Sequence, residues 1–229
     1  VASAWRAEVP MLRTCTLAAL VILGLLPAPF AAAQTPSPAA RSNGLALRAF
    51  GSAGRQWFTA SSTFDAVLGS GSGPDLGGGL NLTRGPIFLE IGVRRFMKTG
   101  ERVFVTDNGE VFPLGIPATI TLTPLEIAAG WRFGPRFGRV IPFLGAGYTR
   151  MRYEETSDFA AADEDVDQSF DGYHVKGGAE VRLTRWVALA GEAVWSSIPD
   201  ALGTGGASQA FNETNLGGTS LRLSLVLGR

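Results

Sequence analysis

The sequence predicts an all-β fold: one eight-stranded antiparallel up-and-down transmembrane β-barrel, preceded by a cleavable signal peptide. Three observations predict it. Period-2 alternation recurs from Gly44 to the last residues with no convincing helical period. The joins between alternating segments are by turns long and short, and the apolar phase of each strand is continuous while the opposite phase carries charge.

Elements follow in chain order. Residues 1–10 lie upstream of Met11, the expected start, and the stretch from Met11 reads as a secretory signal. Arg13 supplies the positive charge, Leu17 to Leu26 the short apolar core, and Ala31-Ala32-Ala33 the small-residue site, with cleavage expected after Ala33. The apolar core is about half the length a membrane-spanning helix needs. Residues 34–44 form a Pro/Ser-rich flexible lead-in, and residues 45–229 form the barrel. Strands are expected over 45–58, 75–84, 87–97, 116–133, 140–153, 170–183, 186–197 and 216–228. The second, fourth and sixth joins are short (Gly85-Pro86, 134–139 and Thr184-Arg185), whereas the others run about 12 to 20 residues. Tight turns therefore collect at one end of the barrel and long loops at the other. Thr106-Asp107-Asn108-Gly109, between Val103–Val105 and Val111–Phe112, reads as a hairpin tip, so the second long loop is expected to project as a two-stranded extension.

The strand Asp171 to Leu183 shows both phases: Tyr173, Val175, Gly177, Ala179, Val181 and Leu183 oppose His174, Lys176, Gly178, Glu180 and Arg182. Ile87, Leu89, Ile91 and Val93 oppose Glu90, Gly92 and Arg94, and Leu221, Leu223, Leu225 and Leu227 oppose Arg222 and Ser224. A closed eight-stranded barrel has an interior just wide enough to be filled by side chains. The expected lumen charge network is Glu90, Glu126, Glu180 and Glu192 with Arg94, Arg132, Lys176, Arg182 and Arg222, interspersed with Gly78, Gly92, Gly130, Gly145, Gly178 and Gly218. Two aromatic girdles are expected: Trp131, Phe133 and Trp186 by the short turns, with Trp57, Phe58, Phe96, Tyr153 and Trp195 toward the long loops. Outward phases end in Arg95 and Arg150, where a strand would reach head-group level. In the fourth strand the apolar phase changes sides at Thr123-Pro124, which predicts a bulge there, because proline cannot donate to a ladder. The same alternation admits a soluble lipid-carrier barrel with its apolar face inward.

Composition excludes several classes. Twenty Lys+Arg balance twenty Asp+Glu, and only 17% of residues are charged, so a nucleic-acid binder working through a basic surface is excluded. One His and one Cys among 229 residues cannot make a four-ligand zinc site or a Cys-His nucleophile pair. No metal, cofactor or catalytic residue is expected. His174 has no serine or carboxylate at triad spacing and is expected to pack or hydrogen-bond in the lumen. The segment Ser157 to Asp171 carries six Asp/Glu and no base, and it reads as a solvated loop without EF-hand spacing.

On Gly-Pro-Ile-Phe-Leu-Glu-Ile-Gly (85–92), Pro-Leu-Glu-Ile-Ala-Ala-Gly-Trp-Arg-Phe (124–133), Ile-Pro-Phe-Leu-Gly-Ala-Gly-Tyr (141–148), the strand Gly172 to Leu183 and the signal peptide, the chain resembles the outer membrane protein β-barrel domain family. Its members include the eight-stranded OmpA/OmpX-like barrels of Gram-negative bacteria. The resemblance implies a monomeric, non-enzymatic barrel in the bacterial outer membrane, in contact with lipid and lipopolysaccharide and inserted by the barrel assembly machinery. It departs at the end of the last strand, where members carry an aromatic residue and this sequence reads Leu227-Gly228-Arg229. A closed, charge-paired lumen with a structural, adhesive or surface-interaction role is the expected function. The alternatives are a narrow, porin-like channel for small or hydrophobic solutes and the soluble periplasmic carrier.

Overall fold

A computed structural model describes residues 44–106, 109–134, 139–157 and 166–228. The expected signal peptide, the lead-in up to residue 43, the hairpin-tip pair 107–108 and the acidic stretch 158–165 lie outside the described residues. Eight strands, β1 (Leu45–Phe58), β2 (Ser72–Arg84), β3 (Ile87–Val105), β4 (Val111–Arg132), β5 (Val140–Thr156), β6 (Val166–Arg182), β7 (Val187–Ser197) and β8 (Gly218–Gly228), close into a barrel in sequence order. Every neighbouring pair is antiparallel, and β8 pairs back onto β1.

Following the register from Arg48 through Asn81, Glu90, Ala128, Gly147, His174, Ser196 and Gly218 returns to β1 at Phe58, ten residues further along. That stagger tilts the strands and brings side chains from distant strands to one level inside. The β2–β3 join is a two-residue turn in which Gly85 takes φ 60°, a left-handed conformation that glycine adopts without steric cost. Strands β3 and β4, of 19 and 22 residues, are longer than their neighbours and end as a hairpin closed by Thr106 N–H to the Glu110 carbonyl at 3.0 Å.

The apolar phase faces outward. Leu47, Leu144 and Leu223 are each about 60% exposed, and Ile87, Leu89, Ile91 and Val93 run in line on β3. The charged phase is inside: Arg94, Lys176 and Glu180 are 3–4% exposed. This is the inverse of what a soluble carrier needs. No helix among the described residues is long and apolar enough to cross a membrane.

Three sequence expectations require correction. The bulge at Thr123-Pro124 is absent: register with β5 is unbroken through Thr123↔Arg152 and Pro124↔Met151, and the pairs on either side with β3 keep one register. What changes is the surroundings. Ala118, Ile120 and Leu122 are buried, the last two in an apolar cluster, whereas further down the same inward phase carries Glu126 and the apolar residues Ile127 and Trp131 point outward. The register shift lies higher, between Glu101 and Val103. Second, β6 starts at Val166 and not at 170, so Asp167 lies in a strand, exposed and paired with Arg152, while Asp171, within the expected strand, faces Arg150. Third, the barrel is not free of helix: α1 (Ser61–Leu68) lies in the first long loop and α2 (Gly206–Ala210) in the last. Both are too short to show a period.

The apolar core lies inside the barrel at its long-loop end. Phe58, Phe64, Leu68, Phe96, Leu122, Met151, Ile198 and Leu216 form one buried cluster. Phe64 of α1 stacks on Phe58 at 4.1 Å, and Phe96 meets Phe58 edge-on at 5.0 Å.

Candidate functional site: the charged lumen

Below the apolar cluster, the inward phases of seven strands bring ionised side chains together. Nearest the short turns, Glu180 of β6 accepts from Arg48 of β1 (2.8 and 2.9 Å) and from Arg132 of β4 (2.7 Å). Arg48 also donates to Asn81, whose amide donates to Glu90 at 3.0 Å. Lys176 then bridges Glu90 and Glu192, the latter at 2.9 Å. Deeper still, Arg222 donates to both oxygens of Glu126 (2.8 and 2.9 Å) and to Asp75 (2.7 Å). Arg94 completes the set on Glu126 (3.2 Å), Asp75 and Glu192 (both 3.4 Å), and its Nη1 donates to Ser52 at 2.9 Å.

The network therefore joins five carboxylates to five bases among the described residues. Balance of this kind is what desolvated charge requires, since one unmatched buried ion costs several kcal/mol. Glycines on facing strands make room: a Cβ at Gly77 would lie 2.6 Å from Arg94 Cγ, and one at Gly147 would lie 2.8 Å from the His174 ring. His174 is 1% exposed, and its Nδ1 lies 2.8 Å from Thr149 Oγ1.

Eight of the nine residues read from the sequence converge here: Glu90, Arg94, Glu126, Arg132, Lys176, Glu180, Glu192 and Arg222. Arg182 does not. Its side chain is 61% exposed at the short-turn rim, 3.9 Å from Glu180, because the inward phase of β6 leaves the barrel there. Arg48 and Asp75 were missed, though the period-2 rule that placed the others would have found them. β1 alternates Leu45, Leu47 and Ala49 against Arg48 and Phe50, and the inward phase of β2 runs Asp75, Gly77, Gly79 and Asn81. Gly78 consequently faces out.

Two small cavities flank the network. One, of about 40 Å³, is lined by Arg48, Phe88, Arg132, Phe143 and Glu180 toward the short turns. The other, of about 30 Å³, lies between Asp75, Glu126 and Arg222 on one side and Phe58, Leu122 and Met151 on the other. Each has room for only a few waters.

On the outer surface, Trp131, Phe133 and Trp186 are exposed by the short turns, and Trp57 and Trp195 toward the other end. Trp186 to Trp195 spans nine residues, about 23 Å along the barrel axis at a rise of about 3.3 Å and a tilt near 40°, close to the ~25 Å apolar band of such barrels. Tyr153 is not in this ring: it turns inward against the apolar cluster and donates to Glu155 at 2.9 Å, and Phe58 and Phe96 are likewise buried. Tyr148 and Tyr173 face out instead, with Tyr173 edge-on to Trp195 at 5.8 Å.

Residues 18–226 match the family described as the outer membrane protein beta-barrel domain. The chain belongs to that family. Its location, as an outer-membrane barrel, is the bacterial outer membrane. No curated protein matches the sequence. Among solved structures it is similar to Neisserial surface protein A, at 18% identity over 80% of this chain and 95% of that one, with TM-score 0.48. It is similar to Ail of Yersinia pestis at 8% identity over 81% and 99%, TM-score 0.47. The N-terminal β-barrel domain of OprF from Pseudomonas aeruginosa shares 12% identity over 82% and 98%, TM-score 0.44.

Proposed function

We propose that this barrel is a closed outer-membrane element with a structural, adhesive or surface-interaction role, and not a conduit. The supporting observation is the lumen. Five acids and five bases interlock across its width, and the cavities on either side measure about 40 and 30 Å³. Ions would have to break several charge-assisted hydrogen bonds to pass. Export uses the signal peptide ending at Ala33, the assembly machinery inserts the barrel as a monomer, and lipid and lipopolysaccharide surround its apolar face, with the long loops outside. No catalytic residue, metal or cofactor takes part.

Planar-bilayer recording of the refolded protein tests this reading, with near-zero conductance expected. A steady conductance in the unmodified protein would overturn it in favour of the second reading, a narrow channel for small or hydrophobic solutes. That alternative draws on the apolar cluster inside the long-loop mouth.

A further inference from the structure

The long-loop mouth is covered by two loops that share one polar contact set of unusual construction. Helix α1 begins after Ala60, which has no side-chain acceptor, so its first N–H groups have no cap of their own. The cap comes from the last loop. Glu213 accepts from Ser62 N–H at 3.1 Å through one oxygen, and from Thr63 N–H at 2.8 Å and Thr63 Oγ1–H at 2.6 Å through the other. A carboxylate at that end of a helix is further favoured by the helix dipole.

The two loops also share a core. Phe64 and Leu68 of α1 meet Ile198, Ala201 and Leu216 of the last loop in the apolar cluster. Helix α1 rests directly on β3, where a Cβ at Gly100 would come within 2.9 Å of Leu68 Cα. The last loop is braced internally: Asn215 accepts from Ile198 N–H (3.0 Å) and Gly217 N–H (2.8 Å), and donates to Ser197 at 2.8 Å. The first loop is anchored at its neck by Phe58 N–H to Gly71 and Thr59 N–H to Gly217. Between these anchors, Glu213 supplies the polar hold on the first turn of α1. Just past its far end, Gly69 takes φ 66° and Gly71 N–H donates to Asp65.

We propose that the first and last long loops form a single lid, latched by Glu213 on the N-terminus of α1, over the apolar cluster at the long-loop mouth of the lumen. Releasing the latch frees the first turn of α1 from the last loop and admits water to the cluster.

The test places a thiol beneath the lid, Met151→Cys, in a Cys15→Ser background, and measures the labelling rate by a charged, water-soluble methanethiosulfonate. Met151 is 7% exposed, so labelling of the latched protein is slow. Adding Glu213→Ala is expected to raise the rate about tenfold or more, as loss of hydrogen bonds to a charged group implies. Thr63→Val, which removes one of the three bonds and keeps the carboxylate, should give a smaller rise. Both are loop substitutions, and barrel folding is checked by heat-dependent gel mobility. Equal labelling rates in the parent and in both variants would overturn the latch.

Discussion

Glu126 accepts from two guanidiniums, Arg222 through both oxygens and Arg94 through one. Glu126→Ala leaves both with too little countercharge in a site closed to bulk water. The expected cost is about 3–5 kcal/mol, read from urea unfolding of the refolded barrel. Arg182→Ala, by contrast, removes a rim side chain and should stay within about 0.5 kcal/mol. Glu213 yields a prediction of another kind. Burial alone would raise its pKa, but the hydrogen bonds from Thr63 and Ser62 outweigh that and hold the carboxyl below its ordinary value of 4.5. The charged groups of its neighbours do not interfere: Asp65, the one charge on α1, accepts from Gly71 N–H at the other end, and α2 carries none. A carboxyl lowered in the folded state contributes its full stabilisation above the ordinary value and loses it as pH falls through the lowered one. Amide hydrogen exchange over 61–68, corrected for intrinsic rate, should therefore show protection at neutral pH and lose it below about pH 4.5, before the barrel strands do. Unchanged protection of α1 at acid pH would contradict this.

At the scale of the strand, β4 shows how one period-2 pattern can carry two opposite assignments. Its inward phase is apolar beside α1 and charged lower down, while its outward phase changes from Thr119 and Thr121 to Ile127 and Trp131. The surroundings invert along the strand: polar side chains outside and an apolar plug inside at one end, exposed apolar side chains outside and ion pairs inside at the other. Read locally, that inversion looks like a one-residue slip, which is why the sequence suggested a bulge. Ile127→Arg should then cost about 2–4 kcal/mol in barrel stability, whereas Thr119→Arg, which sits beyond the apolar band beside Thr99, should cost about 0–1 kcal/mol. Equal costs at the two positions would contradict the inversion. Helix α1 was illegible for a different reason. Eight residues give two turns, and its stabilising partners, Glu213 and Phe58, lie in other segments.

For the whole molecule, an outward apolar face and an inward charged one predict how the protein leaves a membrane. Carbonate or high salt should not release it, and detergent should; release by salt alone would contradict the outward apolar belt. The formal charge of zero belongs to this scale as well. It reflects a lumen in which acids and bases match one for one, and an outer rim where Arg150 and Arg152 meet Asp171 and Asp167.

Alternation, loop order and the signal-like N-terminus were enough to specify eight antiparallel strands, the face that carries charge and eight of the ten lumen ions. These are local properties, because a strand places successive side chains on opposite faces whatever its partners do. Which charges meet was decided only by closure. Arg48 finds Glu180 across 132 positions and Arg222 finds Asp75 across 147, at levels set by the ten-residue stagger of the barrel. The lid, too, exists only in three dimensions, since its helix is capped by a carboxylate 150 residues away.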